Sequence, residues 1–97
     1  MSTTALSSDY KAPGGKTLRV RIREKDGRIE SAKISGDFFL IPEEGLSKLE
    51  KMLEDARLDE KELGLLVDRF FRGTRAQGLG VSPADFVKAI IAAKPGG

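Results

Sequence analysis

The period of the hydrophobic pattern changes once along this chain, near residue 40, and that change restricts the fold more than any other feature. In TLRVRIRE, Leu18, Val20 and Ile22 alternate with Arg19, Arg21 and Arg23, the period of two of a strand with one buried face. KDG at 25–27 supplies a hairpin turn. The return segment RIESAKISG alternates for Ala32 and Ile34, but Ile29 falls on the opposite parity. A bulge near Glu30 or Ser31 would produce that one-residue slip.

From Pro42 the repeat lengthens. Leu46, Leu49, Leu53 and Ala56 recur at helical spacing, Pro42 suits a first turn, and Glu43 and Glu44 suit the positive end of the helix. A second helix opens at Asp59, with Glu62 three residues on as in a capping box. Leu63, Leu66, Val67, Phe70 and Phe71 form its apolar stripe, and it ends before Gly73. RGTRAQGLG, 72–80, reads as a Gly-rich connector. Ser82 caps a third helix with Pro83 in its first turn and Phe86, Val87, Ile90 and Ile91 as its buried face.

The order β-β-α-α-α predicts an α+β fold: a small antiparallel sheet of two or three strands, the third from FFLI, covered on one face by about three helices. No internal repeat interrupts this order. Residues 1–15, rich in Ser, Thr and Gly, predict a flexible N-terminal arm. Residues 16–94 form a single domain and 95–97 a tail, because 97 residues supply one hydrophobic core and not two.

Composition removes whole classes of chemistry. The chain has no cysteine and no histidine, which excludes disulfides, thiolate nucleophiles, imidazole bases and the usual structural zinc or iron–sulfur ligands. With 39% hydrophobic and 33% charged residues it is a folding sequence with a highly charged surface, of a kind also common in thermophile proteins. No apolar run approaches the ~20 residues of a membrane-spanning helix, and residues 1–12 lack the apolar core of a secretory signal, so a cytoplasmic location is expected. The net charge is only +2, so any affinity for polyanions has to come from local clustering of Lys and Arg.

Candidate motifs each carry two readings. PGGKT at 13–17 has the end of a phosphate-binding loop, but Tyr10 stands where that motif needs its first glycine, and a strand follows instead of a helix. Lys16 is then either a solvated charge or a cation that the arm delivers to an anion held elsewhere. Arg19, Arg21 and Arg23 form a basic ridge that either binds phosphates or only solubilises the outer sheet face; no aromatic residue is interleaved to stack bases. Asp37, Glu43 and Glu44 suggest a magnesium site or an acid–base pair, but the simpler reading gives Asp37 to turn hydrogen bonds and the glutamates to the helix dipole. Phe38 and Phe39 are adjacent, so in extended chain they point to opposite faces. One enters the core, and the other needs cover from a helix or from a second body.

YKAPGGK leading into a strand, DGRIESAKISGDFFLIPEEGLSKLEKML, and GVSPADFVKAI together resemble the C-terminal accessory domain of lipoate–protein ligases, in particular the stand-alone small subunit of the bipartite archaeal form. The similarity runs from about Tyr10 to about Ala92, and GDFF after a DG hairpin is its most specific element. The domain is also similar in shape to the iron–sulfur scaffold and sulfur-acceptor folds, whose turn cysteines are GDFF here.

The resemblance implies a noncatalytic subunit, inactive alone, whose large partner binds ATP, magnesium and lipoate, forms lipoyl-adenylate and passes the lipoyl group to a lysine of an acceptor domain. This chain itself is expected to hold no cofactor or metal. Gly14, Gly15 and Lys16, with Phe38 and Phe39, are then the partner-binding residues. Gly36 and Asp37 set the turn, and Lys16 contributes a cation near the partner's nucleotide or carboxylate site. The alternative is a small basic nucleic-acid-binding domain using Arg19, Arg21, Arg23 and the Arg72–Arg75 loop. A stand-alone enzyme is disfavoured by the lack of a nucleophile–base pair.

Overall fold

The computed structural model describes residues 3–94. Three strands, β1 (Thr4–Lys11), β2 (Thr17–Lys25) and β3 (Arg28–Gly36), form an antiparallel sheet in the order β1-β2-β3. A second, two-stranded ribbon pairs β4 (Phe39–Ile41) with β5 (Gln77–Leu79). The helices are α1 (Gly45–Leu53), α2 (Glu60–Thr74) and α3 (Pro83–Ala92). The fold is therefore α+β, as the change of period predicts.

The alternation in β2 is the backbone of the core: Leu18, Val20 and Ile22 are buried, and Arg19, Arg21 and Arg23 are exposed. Between Arg23↔Ser31 and Glu24↔Ile29 the register slips, which leaves Glu30 as the extra residue of a bulge. That slip is what returns Ile29 to the buried side, fully inaccessible. The hairpin turns through Asp26 and Gly27, both at positive φ, the geometry for which an Asp-Gly pair is selected.

The sheet has one covered face. Helix α3 packs on β1 and β2, α1 packs on β3, and α2 packs on the other two helices. Phe70, Phe86, Leu49, Leu53, Leu63 and Ile90 fill the space between helices and sheet. Glu50 of α1 accepts a hydrogen bond from the Ile34 amide at 2.7 Å, fastening that helix to the sheet.

Six expectations are corrected. FFLI forms a strand, β4, but the third strand of the sheet is β1, and β4 pairs with β5 instead. Residues 4–11 are not a free arm but strand β1, paired along its length with β2. Leu6 and Tyr10 pack against the core, and between them Ser8 donates its hydroxyl to the Ala89 carbonyl of α3 at 2.6 Å. Two apolar residues and that hydrogen bond are enough where a neighbouring strand already supplies the backbone partners. Residues 1, 2 and the expected tail 95–97 lie outside the described residues.

Pro42 precedes α1 rather than entering it, because β4 runs through Ile41 and a turn over 42–44 intervenes, with the Gly45 amide donating to the Pro42 carbonyl. Ala56 is buried but not helical. It lies in the segment after α1 that pairs with β3, the Ile29 amide donating to the Ala56 carbonyl at 2.8 Å. Finally, α2 continues through Gly73 to Thr74, and the 72–80 connector contains β5. The helix stops at Arg75, which is left-handed at φ 56°.

Candidate functional site

Three turns meet at one end of the molecule. The β1–β2 turn is closed by hydrogen bonds from the Ala12 amide to the Lys16 carbonyl (2.7 Å) and from the Gly15 amide to the Ala12 carbonyl (2.9 Å), with Gly15 at φ +93°. Lys16 lays its aliphatic stem across Gly80, which follows β5; any side chain at Gly80 would overlap the Lys16 Cγ. Gly14 approaches the same residue, a Cβ there lying 3.3 Å from the Gly80 carbonyl oxygen. The half-buried Lys16 thus has a held stem, and its ammonium has no ion-pair partner among the described residues.

The β3–β4 turn is pinned to the start of β2. Asp37 Oδ1 accepts from the Thr17 amide at 2.7 Å, and the Asp37 amide donates to the Thr17 carbonyl at 3.4 Å. Gly36 sits against that carbonyl so closely that an added Cβ would overlap it and press on the Phe38 ring. Asp37 is therefore engaged in the turn, as the simpler reading has it. Among the described residues no group of three or more acidic side chains is placed to hold a metal ion, Asp37, Glu43 and Glu44 included.

The two adjacent phenylalanines separate as strand geometry requires. Phe38 turns inward, 8% exposed, with its ring edge-on to Phe86 at 5.5 Å. It is a core residue, which corrects the expectation that it is one of the partner-binding pair. Phe39 turns outward and is 65% exposed.

It is not isolated. Ile41, two residues along β4, is 50% exposed, and Leu79, opposite Phe39 on β5, is 48% exposed. Residues i and i+2 of a strand, and directly paired residues, share a face. Phe39, Ile41 and Leu79 therefore form one apolar patch on the outward side of the ribbon. Leu40 points the other way into the core, opposite Gly78. A hollow of about 280 Å³ beside the patch is lined by Phe39, Gly36, Ser35, Glu43 and Leu46, among others.

Gly14, Gly15, Lys16, Gly36, Asp37 and Phe39 are thus brought into one neighbourhood. Ile41 and Leu79 are missed by sequence reasoning as surface residues: FFLI marks Ile41 as a strand residue without giving its face, and Leu79 is a lone leucine between glycines in QGLG, too short to show a period. The Arg72–Arg75 loop does not exist as such: Arg72 lies in α2 and pairs with Asp68 at 3.1 Å.

Arranged in this way, the turn cluster holds an exposed apolar patch beside one positioned cation. The family model describing the C-terminus of bacterial lipoate protein ligases matches residues 5–90. The chain belongs to that family. It is similar to lipoate-protein ligase A subunit 2 of Thermoplasma acidophilum, 36% identical over 84 residues that cover 87% of this chain and 85% of that one.

A solved structure of an archaeal lipoylation system, a bi-partite lipoate protein ligase and its E2 lipoyl domain from Thermoplasma acidophilum, contains a chain of the same fold. The TM-score is 0.81 at 30% identity, over 91% of this chain and 96% of that one.

Proposed function

We propose that this chain is the accessory subunit of a two-part lipoate–protein ligase. It docks on a large catalytic subunit and enables that subunit to join lipoate to ATP, forming lipoyl-adenylate and releasing pyrophosphate. The large subunit then transfers the lipoyl group to a lysine of an acceptor domain and releases AMP. ATP, magnesium and lipoate are held by the large subunit in this reading, and the work is cytoplasmic. No helix among the described residues is long and apolar enough to cross a membrane.

The observation that carries the reading is the Phe39, Ile41 and Leu79 patch on a chain of this family. Aromatic and aliphatic anchors surrounded by polar residues are the usual energetic centre of a protein–protein contact. Lys16 beside the patch supplies the one electrostatic contribution we assign: a cation with its stem held by Gly80, presented to charge that develops on the partner's phosphates.

Two substitutions separate docking from activation. Phe39→Ala is expected to weaken the complex about 30-fold, the ~2 kcal/mol of an interface anchor, with the fold intact. Lys16→Ala is expected to bind with near-normal affinity and slow adenylate formation. Unchanged affinity for the first, measured calorimetrically with the cognate large subunit, removes the patch as the docking site. Full adenylation by the second removes the role of Lys16.

A further inference from the structure

The uncovered face of the three-stranded sheet carries a charge pattern that docking through the ribbon does not use. By register its rows are Ala5–Arg23–Ser31, Ser7–Arg21–Lys33 and Asp9–Arg19–Ser35. These three rows hold four cations and a single carboxylate, and the next pair in register, Lys11 with Thr17, adds a fifth cation, although the whole chain is only +2. The positive excess is thus concentrated here, and most carboxylates lie on the helices and loops. Arg19 pairs loosely with Asp9 at 3.7 Å, while Arg21, Arg23 and Lys33 have no ion-pair partner among the described residues.

Their neighbours are small. Ala5, Ser7 and Ser31, with Arg21, Arg23 and Lys33 and the intervening Leu6, Ile22 and Ala32, line a hollow of about 560 Å³. The aliphatic stems of the cations and the small side chains give it an apolar lining beneath charged tips. Successive arginines along β2 stand about 7 Å apart.

We infer that this face is a second docking surface, and that its occupant is a carboxylate-rich protein surface. The inference does not rest on the ligase reading. Three features favour protein carboxylates over nucleic acid. No aromatic residue lies on the face to stack a base. The face is a sheet surface, with no helix standing on it to enter a duplex groove. The hollow accepts side chains between cations, and planar guanidinium groups pair carboxylates through two hydrogen bonds.

The test is fluorescence anisotropy of a labelled oligoglutamate peptide titrated with the full chain, beside single-stranded and duplex oligonucleotides. The peptide binds, and binding weakens as salt is raised. Arg21→Glu, Arg23→Glu and Lys33→Glu together lower its affinity by at least about tenfold. The same charge change on the helices, Lys48→Glu, Lys51→Glu and Lys61→Glu together, alters it by no more than about twofold. A glutamine triple at 21, 23 and 33 gives the same ordering if charge reversal disturbs the fold. The inference is overturned by no peptide binding, by equal losses in the two triples, or by an oligonucleotide that binds more tightly than the peptide and is lost with the sheet-face triple.

Discussion

Gly36 joins the fold to the site more directly than any other residue. It lets β3 end against the Thr17 carbonyl, so that Asp37 can accept from the Thr17 amide and the next two side chains diverge, Phe38 inward and Phe39 outward. A methyl group at 36 has to displace backbone, not the end of a flexible side chain. Gly36→Ala is therefore expected to cost about 3 kcal/mol of stability, as overpacking together with backbone strain. Urea unfolding checks this, and an unchanged midpoint would show that the turn relaxes freely. GDFF was readable from sequence because glycine, a turn acid and paired aromatics each have one cheap local arrangement. Which phenylalanine faces out was not, since it depends on the pairing of Phe39 with Leu79, forty residues away.

At the scale of elements, β2, the bulged β3 and the three helices follow from patterns that a single segment contains. Helix α3 shows how local that information is. The Asp85 carboxylate accepts from both the Ser82 amide (2.8 Å) and the Ser82 hydroxyl (3.1 Å), and Asp85 is itself only 6% exposed. Asp85→Ala leaves both donors without that acceptor in a largely buried place and is expected to cost about 2 kcal/mol. Asp59→Ala removes one exposed cap of the Glu62 amide and is expected to cost about 1 kcal/mol. Thermal unfolding of the two variants orders them, and equal losses would contradict the difference in burial. The elements that sequence reasoning missed, β1 and β5, are those whose stability is borrowed. Strand β1 has Ser8 between its two inward apolar residues, and β5 is three residues long with glycine at its centre. Each becomes a strand only because a neighbouring strand is in place to pair with it.

The whole molecule, 37 × 26 × 21 Å, keeps one sheet face for its core and leaves two surfaces unspent. One is the apolar ribbon beside Lys16; the other is the cationic sheet face. A domain this small has little spare apolar area, so exposing Phe39, Ile41 and Leu79 together is a cost that the proposed docking would offset. The division of labour that this implies is testable with purified components. The decisive measurement is ATP-dependent formation of lipoyl-adenylate by the cognate large subunit alone, by this protein alone, and by the two mixed. The account predicts adenylate only in the mixture, at a rate that saturates with this protein. A large subunit that adenylates equally well unaided would contradict it.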